Sequence, residues 1–111
     1  MTKRAVIYIR TAPNQQDQER IFAHQEQQTK AFCQAFEYEI VQTYADLSKF
    51  AHDVRPQFNQ MLADADAGKF DVIVVLHEDR LYRGICQDML KVADMVRGGK
   101  IKVDVCMDEY E

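Results

Sequence analysis

Glycine and proline are scarce in this chain, four and two among 111 residues, and no stretch is low in complexity or internally repeated. A flexible linker between domains is therefore not expected, and the length suits one domain with a single modest core. No apolar run approaches the roughly 18 residues of a membrane span. Lys3-Arg4 leads straight into an apolar run rather than a signal peptide, so a cytoplasmic protein with no membrane partner is expected. Cysteine is sparse and odd in number, and Cys33, Cys86 and Cys106 lack a C-x-x-C spacing. That pattern suits reduced thiols used as small apolar residues, and a reactive Cys86 near Arg83 is the minority reading. An excess of positive charge is missing too. The formal net charge of -4 argues against indiscriminate coating of DNA, although local field rather than net charge governs contact with phosphates. Metal-ligand spacing is also absent: His24, His52 and His77 are scattered, and neither a metal nor a cofactor is expected.

What the chain does have is centred on Asp71-Val72-Ile73-Val74-Val75-Leu76-His77-Glu78-Asp79-Arg80-Leu81-Tyr82-Arg83. Its first half is an apolar, β-branched run of the kind that fills a strand buried on both faces. Its second half is a burst of charge where such a strand emerges from the core. Ligands bind at the carboxyl ends of strands in open α/β sheets, and a guanidinium fork matches phosphate oxygens. The competing reading is a solvated charge run at a helix start.

Taken in order, Ala5-Val6-Ile7-Tyr8-Ile9-Arg10 reads as a central strand, followed by a loop at Pro13. Residues 16–36 favour helix, with apolar positions at Ile21, Phe22, Phe32, Cys33 and Phe36. The middle of that helix is polar, which predicts packing through its two ends. Ile40-Val41-Gln42-Thr43-Tyr44 reads as a second strand, and residues 48–54 as an irregular, mobile loop. Pro56 opens a helix with an apolar stripe of Phe58, Met61, Leu62 and Ala65. After the 71–76 strand, residues 85–97 carry Ile85, Met89, Val92, Ala93 and Val96 on one helical face, and Gly98-Gly99 ends that helix. Residues 101–106 alternate as a half-exposed edge strand does. The order βαβαβαβ predicts a three-layer α/β fold: a mostly parallel sheet of four to five strands with helices on both faces.

Strand alternation places Tyr8, Arg10 and Ala12 on one side and Ile7, Ile9 and Thr11 on the other. Arg10 at the end of a central strand is costly as a core residue, so it belongs to a site or to an ion pair with Asp46 or Asp79. At this point four motifs stand in order: Tyr8-x-Arg10-x-Ala12, Arg55-Pro56-x-Phe58 with Met61-Leu62, Gly68-Lys69-Phe70-Asp71-Val72-Ile73-Val74-Val75, and Asp79-Arg80-Leu81-x-Arg83. Together they resemble the N-terminal catalytic domain of serine recombinases, the resolvase/invertase family, over nearly the whole chain. The resemblance implies DNA as partner, through its phosphates, with Arg10, Arg55, Arg80 and Arg83 as phosphate ligands and Asp79 as the carboxylate that orients them. It also implies a serine that attacks a DNA phosphodiester and becomes covalently linked to it. Phosphoryl transfer needs such a nucleophile together with positive charge on the phosphate oxygens.

The departures bear on activity. The serine of the Y-x-R-x-S motif falls on Ala12, which has no hydroxyl. Loss of a covalent nucleophile costs on the order of 10⁴-fold or more in rate. Thr11 is a candidate substitute nucleophile, but alternation turns it to the opposite side. The family's D-x-G-x-S-G is replaced by Asp46-Leu47-Ser48-Lys49-Phe50-Ala51, without the glycines that ease positive-φ turns. The chain is expected to form one domain over residues 1–111, without the dimerisation helix and DNA-binding module usual in the family. The expectation is thus a degenerate recombinase domain that binds DNA or assists a full-length recombinase, or pairs with itself. Two alternatives stay open: an active strand-transferase using Thr11 (or a serine deliberately changed to alanine), and a non-catalytic protein-interaction module. A metal-dependent site at Glu78 and Asp79 is disfavoured by the neighbouring guanidinium charges.

Overall fold

A computed structural model describes residues 3–11, 18–47, 55–77 and 87–106 of the chain. Strand β1 (Arg4–Thr11) is followed by helix α1 (Gln18–Ala35), strand β2 (Glu39–Leu47), helix α2 (Pro56–Asp66), strand β3 (Val72–Val75), helix α3 (Gln87–Arg97) and strand β4 (Lys102–Val105). The four described strands form one parallel sheet in the order β2-β1-β3-β4. Parallel neighbours need helical crossovers, and the sheet is accordingly covered on both faces.

Both faces of β1 are buried, as its near-continuous apolar run requires, and alternate residues feed two separate cores. Ala5, Ile7 and Ile9 join Cys33 of α1, Val72 and Val74 on one face. Val6 and Tyr8 join Tyr44, the α2 stripe of Phe58, Met61, Leu62 and Ala65, and Val92 of α3 on the other. Burial pushes the Cys33 thiol up to about 11 and the Cys106 thiol up to about 12, which suits their use as small apolar groups.

Two helices pack differently from the sequence pattern. In α1 the polar middle is not lifted away from the sheet: Gln25 and Thr29 are buried there, each inside a hydrogen-bonded arrangement, whereas Phe36 at the end is 58% exposed. In α3 the buried line runs through Val92 with Met95 packed beside it, while Val96 is exposed. Of the expected face, Val92 is buried and Ala93 half-buried, whereas Met95 packs against the core in place of Val96; Ile85 and the Met89 side chain lie outside the described residues.

Strand β2 is longer than its apolar run and is bulged. Ala5 pairs with Ile40 but Val6 pairs with Gln42, so Val41 is the extra residue. All three described helices leave through a left-handed residue: Glu37 at φ 58°, Gly68 at φ 77° and Gly99 at φ 78°. Each exit is closed by matching bonds, among them Tyr38 N to Cys33 O, Lys69 N to Asp64 O and Lys100 N to Met95 O.

Candidate phosphate site at the strand carboxyl ends

The strand order reverses direction between β1 and β3: from β1 the chain crosses to β2 on one flank, and from β3 it crosses to β4 on the other. In open α/β sheets such a reversal is where ligands bind, beyond the carboxyl ends of the strands. Arg10 sits at that end of β1, 6% exposed. Its register partner on β2 is Asp46. The bulge at Val41 makes this pairing, because one extra residue turns Gln42, Tyr44 and Asp46 to the face shared by Val6, Tyr8 and Arg10.

Asp46 ties three elements together. Its carboxylate accepts the Tyr8 hydroxyl at 2.8 Å, the Gln57 N–H at 3.0 Å and the Phe58 N–H at 2.9 Å. The last two are orphan donors of the first turn of α2, whose own cap residue, Arg55, supplies no side-chain cap. A carboxylate from β2 thus caps α2 and meets the positive end of its dipole. Burial, then the bond to Asp46, raises the Tyr8 hydroxyl far above the ordinary phenol range, so Tyr8 stays a neutral donor.

Arg55 is held at the mouth of α2 by Pro56 in the first turn and is itself 6% exposed. Its guanidinium carbon lies 3.8 Å from the Phe58 ring centroid and 5.9 Å from that of Tyr8. The two rings meet edge to face at 5.6 Å, forming an aromatic seat for a planar cation. Arg10 and Arg55 are therefore delivered to the same end of the molecule, on the same face of the sheet, around one buried carboxylate. Arg10 and Arg55 carry positive charge to this end of the sheet, and the Asp46 carboxylate offsets part of it.

Of the residues singled out from sequence, Arg10, Arg55 and Thr11 are described. Ala12, Asp79, Arg80 and Arg83 lie outside the described residues, as do Glu78, Cys86 and the loop at 48–54. Thr11 is fully buried, and its Oγ1 has no hydrogen-bond partner among the described residues. From sequence Asp46 is only a candidate ion-pair partner of Arg10; its capping of α2 and the hydrogen bonds of Tyr8 and Gln25 appear in the structure alone. The usable signal was Asp46 itself, an acidic residue ending an apolar strand nine residues before Arg55-Pro56. For Gln25 no signal existed, since a glutamine in a polar helical stretch looks like solvent-facing surface. Among the described residues there is no group of metal-ligating side chains and no helix long and apolar enough to cross a membrane.

A doubly wound parallel α/β domain with arginines gathered at the carboxyl ends of its strands is the class that fold and geometry define. The chain belongs to the resolvase N-terminal domain family, whose model matches residues 5–111. Its fold is that of serine recombinase catalytic domains. It is similar to the C-terminal catalytic domain of ISC1926 TnpA, an IS607-like serine recombinase, at 20% identity and a TM-score of 0.79, covering 96% of this chain and 72% of that one. A resolvase family site-specific recombinase from Streptococcus pneumoniae aligns at 23% identity and a TM-score of 0.77, over 95% of this chain and 72% of the other. The N-terminal catalytic domain of TP901-1 integrase aligns at 24% identity and a TM-score of 0.76, over 94% and 77% respectively. Against curated proteins, nothing matches this chain.

Proposed function

We propose that this chain is a serine recombinase domain that keeps the phosphate-binding arginines and has lost the nucleophile, so that it holds DNA phosphate without forming a phosphoserine link. The observation that carries the reading is one of position: Arg10 pairs with Asp46 at the carboxyl ends of β1 and β2, and Asp46 in turn holds the first turn of α2, which Arg55 precedes. Arg80 and Arg83 extend the cluster by motif, with Asp79 to orient it, and Ala12 stands at the position of the attacking serine. Guanidinium groups neutralise and align a phosphodiester, but without an oxygen nucleophile no bond to phosphorus forms. The rival enzymatic reading uses Thr11, and the complete burial of Thr11 speaks against it. A full-length recombinase, or a second copy of the chain, is the partner such a domain would assist.

Labelled duplex DNA titrated at low and moderate salt, with each sample also run on a denaturing gel, tests the reading. Salt-sensitive affinity of about 10⁻⁴–10⁻⁶ M is expected. It should be weakened in the Arg80→Ala, Arg83→Ala double variant, and no covalent protein–DNA band should form. A covalent band would overturn the loss of chemistry and point to Thr11. Absence of binding would leave the fold to a protein-interaction role.

A further inference from the structure

We infer that Gln25 is the positioning residue for Arg10: a helix side chain that grips the arginine's backbone on the side of β1 where β3 no longer pairs. β1 runs to Thr11, but its ladder with β3 covers Ala5 to Ile7, and β3 itself stops at Val75. Gln25 of α1 steps in beyond that point. Its Nε2 donates to the Arg10 carbonyl at 3.0 Å, and its Oε1 accepts the Arg10 N–H at 3.4 Å. A side-chain amide presents the same donor and acceptor pair as a peptide group, so Gln25 does for Arg10 what one residue of a neighbouring strand would do.

The grip is built rather than incidental. Gln25 is 1% exposed, and an amide buried to that degree is costly unless its hydrogen bonds are made. Thr29, fully buried one turn later, donates its hydroxyl to the Gln25 carbonyl at 2.7 Å and lies 3.1 Å from the Glu26 carbonyl, fixing that turn of α1. The arrangement divides the work between the two faces of the sheet. The Arg10 side chain belongs to the α2 face by alternation, while its backbone is held from the α1 face. The Arg10 peptide groups are thereby satisfied at a level that β3, ending at Val75, does not reach.

This rests on the reading of Arg10 as a phosphate ligand, and two readouts keep the inference and that reading apart. The first is amide exchange and the side-chain Nε–H signal of Arg10 by nuclear magnetic resonance, in the wild-type chain and in Gln25→Met, which keeps length but loses both bonds. The second is duplex DNA affinity against salt for the same proteins and for each change in an Arg10→Ala background. The expected result is Arg10 amide exchange faster by about tenfold or more, with Ile7 and Ile9 unchanged. Weaker DNA binding should accompany it, with the salt slope smaller by about 0.9, the signature of one lost phosphate contact. In the Arg10→Ala background Gln25→Met should add nothing. If Gln25→Met does not fold, Gln25→Glu, which keeps the acceptor and loses the donor, is read in its place and should move the Arg10 signals in the same direction. Unchanged Arg10 signals would overturn the inference, as would acceleration of all β1 amides together, which marks a merely structural residue. A moved Arg10 signal in a protein whose wild type does not bind DNA would uphold the positioning role and overturn the phosphate reading.

Discussion

Asp46 accepts three hydrogen bonds from two elements, and removing it leaves each donor in a different predicament. Truncation to alanine strands a buried tyrosine hydroxyl and uncaps α2. Asp46→Ala should therefore cost about 2–4 kcal/mol, against about 1–2 kcal/mol for Tyr8→Phe, which removes the donor along with its bond. Urea denaturation of both variants checks this; a cost below that of Tyr8→Phe would mean the capping role is wrong. Glu37 makes the opposite case. It holds the left-handed exit of α1 that glycine fills in α2 and α3, and its Cβ is strained there. Glu37→Gly should stabilise the chain by about 0.5–1 kcal/mol, read as a raised thermal midpoint, because the relief exceeds the extra freedom given to the unfolded chain. Both residues were plain in the sequence, but their roles were not. An aspartate at a strand end is as ordinary as a glutamate after a helix, and only the neighbours brought from elsewhere in the chain distinguish them.

At the scale of elements, β2 shows how one residue of backbone decides the chemistry at its end. Ile40 packs on the α1 face, yet Tyr44, four residues on, belongs to the α2 face, which strict alternation forbids. The bulge at Val41 resolves the conflict. A deletion inside a strand ordinarily turns every following side chain to the wrong face. Deleting Val41 should not, since Ile40 and Gln42 would then alternate normally into their present registers. The variant is expected to fold with Tyr8, Tyr44 and Asp46 in place, within about 1 kcal/mol of the parent by thermal melting. Unfolding on deletion would show that the bulge is needed for more than register. Helix α1 was legible in position but not in its packing, because Gln25 and Thr29 are buried through hydrogen bonds that no hydropathy pattern encodes.

For the whole molecule, the exposed rim holds the layers through carboxylates that titrate. Asp71 accepts from the Arg4 side chain at 3.3 Å and the Arg4 N–H at 3.1 Å, so the start of β1 is clasped to the turn before β3. The Arg4 side chain and backbone hold its carboxyl below the usual range, and the Tyr44 hydroxyl at 2.5 Å, with Gln60, does the same for Asp64. A carboxylate with a depressed folded-state value binds fewer protons folded than unfolded. Its contribution is present above the ordinary carboxylate range and is lost as pH falls through the lowered value. Stability should thus hold near neutrality and decline below about pH 4, and Asp71→Asn should flatten part of that decline. Urea midpoints measured from pH 7 to pH 3 decide it. The effect of Asp71 is modest, because its side chain remains 45% exposed and solvent screens the pair.

Unaided, the sequence determined the class of fold and most of its core. The apolar run of β1, the Phe58–Met61–Leu62–Ala65 stripe and the β-branched run of β3 are local patterns, and burial of apolar surface reads local patterns directly. It also put Arg10 and Arg55 among the residues worth naming. Tertiary structure alone decided how they are held: Asp46 beneath the first turn of α2, Phe58 under the Arg55 guanidinium, Gln25 on the Arg10 backbone. Those contacts join residues from different elements through polar groups. Their partners are set by a bulge and by a change in crossover direction, and neither leaves a periodic trace in the chain.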